Sequence, residues 1–304
     1  MALSIIVPCY NVSKYIERCL DSLFHQSNQN FQLILVNDCS TDDTMTKIKG
    51  YKHLHDFKNV ELIDLPVNGG VSNARNCGLS RVPGGGYTCF IDPDDWIEEN
   101  YVSKLEATIS ANPGIDLIGF NVNLCSKNNK SLLFDASARS FDRERHQVIK
   151  GLWATIWRFC FRTDLLKCNE LSYNTELCGG EDYLFVCEAF LYAKSYAYID
   201  DVLYNYQTFS SNSLMNSVNL KGISDQVTAT QYLKNFLEDR DSLREYDSDL
   251  CYRYLYIKKL LFKQSLKMWH SWMPESNRFA SNKEWRLKDR VVFSIMSFLS
   301  KGIK

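Results

Sequence analysis

Three carboxylates fall within the four positions Asp92-Pro93-Asp94-Asp95, directly after the apolar run that ends at Phe90-Ile91. In an extended segment the side chains of Asp92 and Asp94 leave the same face, so one divalent cation fits between them and a diphosphate. A cation there would neutralise the charge that builds on departing phosphate oxygens. The same residues also make good turn chemistry, with an Asx cap before a helix, and the two readings stand level on these residues alone. A second acidic pair, Glu181-Asp182, follows Gly179-Gly180 and opens a segment with helical character to Ala193. One of these carboxylates could take a proton from a hydroxyl, although acids in a first helical turn are also favoured simply by the helix dipole. Asp38 can accept from a ring N–H, and Arg75, after Asn68-Gly69-Gly70, offers a fork for a phosphate or a carboxylate.

Such side chains work only if the fold brings them together. Ser4–Pro8 is a short apolar, β-branched run, as expected of a strand buried on both faces. Val12–Gln26 carries apolar residues at helical spacing, with Ser13 as its expected cap. Phe31–Asn37, Val60–Leu65 and Tyr87–Ile91 read as further strands, separated by helices from about residue 42 and over Ser72–Ser80. Strand alternating with helix predicts an α/β fold with a doubly wound, mostly parallel sheet, whose ligands bind at the carboxyl ends of the strands. The clusters Cys9-Tyr10-Asn11, Asn37-Asp38-Cys39-Ser40, Asn68-Gly69-Gly70 and Asp92–Asp95 each stand at such an end. Asp116–Val122 is another expected strand, and from about residue 220 the texture is helical and basic, a C-terminal helical appendage.

The 304 residues carry a net charge of −1, which gives no global reason to expect a nucleic-acid partner. Eleven scattered cysteines, none spaced as C-x-x-C, point to reduced thiols and a cytoplasmic setting. No charged leader with a cleavable apolar stretch opens the chain, and no apolar run reaches the roughly 20 residues of a membrane span. A dinucleotide-dependent oxidoreductase is disfavoured, because Pro8-Cys9-Tyr10-Asn11 stands where a glycine-rich fingerprint would follow the first strand.

Taken in order, five blocks resemble family 2 glycosyltransferases of the GT-A fold, the group of bacterial cell-surface polysaccharide and lipopolysaccharide transferases. They are Ile5–Asn11, Val36–Asp42, Asn68–Gly78, Phe90–Trp96 and Gly180-Glu181-Asp182. The resemblance covers roughly the first 210 residues, and departs from the common pattern at Cys39 and Pro93, both linker positions. It implies a GT-A, Rossmann-like catalytic domain over 1–215, with a nucleotide-binding half at 1–100 and an acceptor half at 101–215, followed by helices over 216–304. It further implies an inverting transfer of a hexose or N-acetylhexosamine from a UDP-sugar to a hydroxyl of a glycan, on a lipid-linked oligosaccharide, lipopolysaccharide or capsule. Pro8, Tyr10, Asn11, Asp38, Asn68, Arg75, Asp92 and Pro93 would then surround the nucleotide, with Asp38 on the uracil imide. Asp94 and Asp92 would hold Mn2+ or Mg2+, Asp182 would be the base, and Glu181 would orient the site. A non-catalytic nucleotide-sugar-binding scaffold remains the alternative. A processive synthase is not expected, since the Q-x-x-R-W block is missing and Glu284-Trp285-Arg286 does not replace it.

Two further expectations concern the acceptor side and the C-terminus. Trp153 and Trp157, four apart on one helix face, serve either as an acceptor platform or as core. Tyr204 and Tyr206 with Asn212-Ser213 suggest a closing lid. Arg253, Lys258, Lys259, Lys263 and Lys267, with the apolar stretch Val291–Leu299 flanked by Arg286, Lys288, Arg290 and Lys301, leave two readings open. One is peripheral docking at the inner face of the cell membrane, and the other is packing on the catalytic domain or a second subunit of a homodimer.

Overall fold

A computed structural model describes residues 3–52, 54, 57, 59–126, 129–133, 139–208, 220–261 and 268–300. Strand β1 (Leu3–Cys9) is buried along its whole length, as its unbroken apolar sequence requires. It pairs in parallel with β2 (Phe31–Asn37) and β4 (Tyr87–Phe90), and β2 pairs in parallel with β3 (Val60–Asp64). Helices α1 (Ile16–Phe24), α2 (Thr44–Lys49) and α3 (Gly70–Arg81) make the connections. Pro8 is tolerated in this central strand for a local reason. Ile6, on the same ladder side, accepts the N–H of Ile91, and pairing to β4 stops at Phe90, so no ladder bond is asked of the Pro8 nitrogen.

Beyond β4 the sheet becomes mixed. After β5 (Trp96–Ile97) and α4 (Tyr101–Ala111) come β6 (Leu117–Cys125), β7 (Lys130–Leu133), α5 (Phe141–Ile149), β8 (Phe159–Arg162), α6 (Thr163–Cys168), α7 (Glu181–Tyr192) and β9 (Tyr196–Gln207). The strand order is β3-β2-β1-β4-β8-β6-β9-β5, with β7 on β6. Strand β8 lies antiparallel between β4 and β6, whereas β6 and β9 are parallel. The antiparallel insertion leaves no trace in hydropathy, because a strand buried on both faces looks alike in either direction.

Helix α3 sits close to β1: a Cβ on Gly78 would lie 2.5 Å from Ile6 Cγ2, so this position admits no side chain without a shift. The helices α8 (Leu220–Glu238), α9 (Leu243–Leu261), α10 (Met268–Ser271) and α11 (Leu287–Ser300) follow. Ala229, Leu233, Leu237, Leu250 and Tyr254 join the main core, while Leu255, Trp269, Trp285, Phe293 and Met296 form a small second one.

Several local expectations change. Helix α1 begins at Ile16 with no side-chain cap, and the N–H of Ser13 instead donates to Asp42 Oδ2 at 3.1 Å, within a turn. Trp153 and Trp157 share no helix face: Trp157 lies in a 3-10 turn, Ile156–Arg158, and Trp153 precedes it. Tyr204 and Tyr206 belong to β9 and Tyr204 is fully buried, so they form no lid; Asn212 and Ser213 lie outside the described residues. Arg253 and Lys258 are buried rather than displayed, Lys258 donating to Met273 O and Asn277 Oδ1, both at 2.8 Å. Lys259 pairs with Asp289 at 2.6 Å, and Lys263, Lys267 and Lys301 lie outside the described residues.

Candidate functional site

The first three strand-end clusters meet on one rim and latch to one another. Asn11, at φ 51°, accepts the N–H of Thr41 on its Oδ1 at 2.8 Å, and its own N–H donates to Ser40 Oγ at 3.1 Å. Asn37 donates to Asp64 Oδ1 at 2.7 Å. Asp38 is 2% exposed, and its two oxygens accept the N–H groups of Gly69 and Gly70, each at 2.8 Å. A carboxylate at the start of α3 compensates N–H groups that the helix itself leaves unpaired. Asp38 was expected to face a ring N–H; its first partners are the backbone of the Gly-Gly turn, with Asn68 Nδ2 donating to its carbonyl at 3.1 Å. Pro8 is buried and Tyr10 is 46% exposed at the same edge.

The Asp92–Asp95 segment is a turn rather than an extended run, closed by the Asp95 N–H donating to Asp92 O at 3.0 Å. The same-face argument for Asp92 and Asp94 therefore does not hold, and no helix follows directly, since β5 comes next. The turn is fixed from beneath. Asp95 is fully buried and accepts from the Tyr204 hydroxyl and the Gln207 N–H, both at 2.7 Å. The Tyr204 hydroxyl in turn accepts the Asp92 N–H at 3.1 Å. Arg18 donates to Asp94 O at 2.6 Å and lies over the Trp96 ring at 3.9 Å. Burial pushes Asp95 well above the usual carboxylate range.

Arg75 joins this turn to the second acidic pair. Its Nη2 donates to Asp92 Oδ1 at 3.0 Å and its Nη1 to Asp182 Oδ1 at 2.5 Å, with Glu181 Oε1 at 3.6 Å. The Arg75 side chain is 4% exposed, and its guanidinium lies 5.2 Å from the centroid of Tyr173. Of the two partners open to it from the sequence, phosphate or carboxylate, Arg75 takes carboxylates here. Burial works to lower the Arg75 pKa, but Asp182, Asp92 and Glu181 outweigh it and raise it. Burial pushes Asp182 up to about 7, with Arg75 pulling the other way, and burial likewise raises Glu181. Gly180, at φ 83°, is the residue before α7, and this left-handed turn sets Glu181 and Asp182 at the helix start. The Asp182 side chain keeps 20% exposure, and its Oδ2 lies 3.5 Å from the Ile156 N–H.

Asp92 and Asp94 are both half-buried, whereas Asp95 has both oxygens engaged inward. No group of three His, Cys, Asp or Glu that could hold a metal is preassembled among the described residues. Two carboxylates beside a diphosphate nonetheless suit Mg2+ or Mn2+, which is usually held by one or two carboxylates plus substrate phosphates. Arg18, Tyr173 and the Ile156 N–H carry no local signal, because each acts through a contact distant along the chain, and Asp95, legible as part of the acidic cluster, turns inward rather than toward a ligand.

Comparison with known proteins fits this arrangement. The profile for glycosyl transferase family 2 matches residues 4–161. EpsH of Bacillus subtilis is 27% identical, over 82% of this chain and 73% of its own length. The poly(ribitol-phosphate) beta-N-acetylglucosaminyltransferase TarS of Staphylococcus aureus is 30% identical over 71% of this chain, which spans 37% of TarS. Among solved structures, S. aureus TarS 1–349 with UDP-GlcNAc superposes with a TM-score of 0.67 at 23% identity, covering 97% of this chain and 79% of that one. The mannosyltransferase PcManGT of Pyrobaculum calidifontis, with GDP-Man and Mn2+, gives 0.56 at 15% identity, covering 99% and 81%. The α/β sheet seen here is the GT-A fold of these neighbours.

Proposed function

The chain belongs to glycosyl transferase family 2, and from that premise we propose that it is an inverting transferase moving a hexose or N-acetylhexosamine from a UDP-sugar to a glycan hydroxyl. The observation that carries this reading is the Arg75 bridge, which places Asp92 of the diphosphate-side turn and Asp182 on one guanidinium. An acceptor hydroxyl is a weak nucleophile at its own pKa, so it needs a base as it attacks C1 of the donor. Asp182 takes that proton, the new C1–O bond forms as the bond to the diphosphate breaks, and UDP leaves with the electron pair. One displacement inverts the anomeric centre, so an α-linked donor gives a β-linked product. Asp182, with a pKa near 7, is poised to accept a proton near neutral pH. Glu181 and Arg75 position it.

Asp92 and Asp94 would hold Mg2+ or Mn2+, which when bound supplies charge stabilisation to the leaving diphosphate. The Gly69-Gly70 turn, braced by Asp38, together with Tyr10 and Asn11, forms the nucleoside edge. A UDP donor is supported by TarS, solved with UDP-GlcNAc, and a polymer hydroxyl as acceptor by the poly(ribitol-phosphate) named for that relative. A non-catalytic scaffold would bind nucleotide through the first rim alone and would have no use for a carboxylate bridged to that rim through Arg75 and still partly open. Release of UDP from a panel of UDP-sugars, with and without acceptor glycans, tests the reading. Metal-independent release, or full turnover by Asp182→Asn, would remove the corresponding part.

We also read α11 as a membrane-facing helix. Leu287, Val291, Ile295, Phe298 and Leu299 are 45–77% exposed, recur at helical spacing opposite buried Phe293 and Met296, and are flanked by exposed Arg286 and Lys288. An anionic lipid surface matches that combination of apolar stripe and positive charge. Among the described residues no helix is long and apolar enough to cross a membrane. Flotation with anionic liposomes should be lost in Leu287→Ser/Phe298→Ser, whose residues are outside both cores; concentration-dependent dimerisation without flotation would assign the stripe to a second subunit instead.

A further inference from the structure

The two tryptophans before α7 divide their work. Trp157 is 3% exposed and stacks on Tyr204 and Tyr206, centroids 5.0 Å away in each case, so it is core. Trp153 is 37% exposed and sits at φ 55°, a left-handed backbone that a bulky residue seldom adopts. Such a conformation persists where surrounding contacts over-determine it, and such positions cluster at ligand sites. Here the contacts are specific. Arg158 Nη1 donates to Trp153 O at 2.9 Å, and Arg158 Nη2 pairs with Glu144 at 3.1 Å. Arg158 and Glu144 are 5% and 1% exposed, so a buried ion pair holds the carbonyl of an exposed indole. A residue serving the core would bury its ring, and a purely solvated turn would not need this fixture.

The position relative to Asp182 matters as much. Ile156, whose N–H lies 3.5 Å from Asp182 Oδ2, is three residues further along. Three residues span at most about 11 Å, so the Trp153 backbone stands within about that distance of the atom facing the base. Asp182 Oδ1 is engaged by Arg75, which leaves Oδ2, the oxygen facing the Ile156 N–H, as the one to meet an acceptor hydroxyl. An indole face carries partial negative charge and suits the C–H face of a pyranose ring.

We propose that Trp153 is the acceptor platform, its indole stacking on the pyranose ring that presents its hydroxyl to Asp182, with Glu144 and Arg158 as positioning residues. This rests on the transferase reading of Asp182. Saturation-transfer NMR with methyl β-D-glucopyranoside and methyl N-acetyl-β-D-glucosaminide, in the presence of UDP and Mg2+, tests it on the full chain. Wild-type protein should transfer saturation to ring C–H protons of at least one glycoside. Trp153→Asn, chosen because Asn tolerates a left-handed backbone, should lose that signal at least tenfold while UDP affinity stays within twofold. Trp153→Phe should keep a third or more of it. Absence of transfer in the wild type, undiminished transfer in Trp153→Asn, or equal loss of UDP binding would each overturn the proposal. Asp182→Asn separates the two claims: it should keep the glycoside signal while turnover is lost, and normal turnover there would remove Asp182 from the base role and leave the platform result standing.

Discussion

The rim built from the ends of β1–β4 and the ridge made by residues 153–158 with the start of α7 are held by different means. On the rim, short polar motifs brace one another: Asn11 on Thr41, Asn37 on Asp64, and Asp38 on Gly69 and Gly70. On the ridge, the proposed base depends on Arg75, 107 positions away in sequence, and on the backbone of Ile156. The proposed nucleotide site is written as a series of local motifs on one sheet edge, whereas the proposed base is brought to it by tertiary packing. The rim should therefore govern donor affinity and the ridge the rate of the chemical step.

Asp182→Asn gives the largest expected separation. Loss of a general base lowers kcat by roughly 10²- to 10⁴-fold, while donor affinity, measured by calorimetry with UDP, should be retained. Weakened UDP binding of comparable size would show that the two regions are not separable.

Arg75 is where the comparison is most exposed to failure, since it belongs to both. Arg75→Met leaves Asp92, Glu181 and Asp182 without their shared cation. Removing one partner of a buried ion pair costs roughly 3–5 kcal/mol, which denaturant unfolding will measure. Stability unchanged in Arg75→Met would mean that the bridge does not organise the site.

A smaller and one-sided effect is expected at Asp38. In Asp38→Asn one of the two oxygens becomes an NH2 group facing an N–H donor, which costs roughly 1–3 kcal/mol. The donor KM should rise with little change in kcat, the reverse of the pattern at Asp182.

The mildest probe is pH. Burial pushes Asp182 up to about 7 from a usual 3.8, so kcat should rise with pH through about 7 as the base ionises. The linkage has a definite sign. A carboxyl whose folded pKa lies above its unfolded value favours the fold at low pH, and that contribution is lost as pH rises from about 4 through 7. A flat rate profile across this interval would take Asp182 out of the proton transfer.

Much of the first half was legible in the sequence because its signals are local. The apolar run Ser4–Pro8 reads as a strand buried on both sides, which the structure extends to Leu3–Cys9, and the polar clusters at Cys9–Asn11, Asn37–Ser40 and Asp92–Asp95 stand at the ends of such runs. The acidic start of α7 was legible too, through Gly180 and the charges at 181 and 182. The antiparallel place of β8 was not, because Phe159–Arg162 has the same apolar texture that a parallel strand would have. Nor was the turn geometry of Asp92–Asp95, which depends on Tyr204 and Gln207, 112 positions beyond the residues they bind. The lysines of α9 misled for a related reason: a charge written on a helix reads as solvent-facing until a partner such as Met273 O accounts for it.

Asp95 has a consequence for how new specificities could arise on this scaffold. With its oxygens anchored inward to β9 and its neighbour's carbonyl clasped by Arg18, the turn proposed to lie beneath the diphosphate is held against tilting to follow a different ring. Adaptation to another sugar must then come from the walls, where side chains can be exchanged without disturbing the foundation.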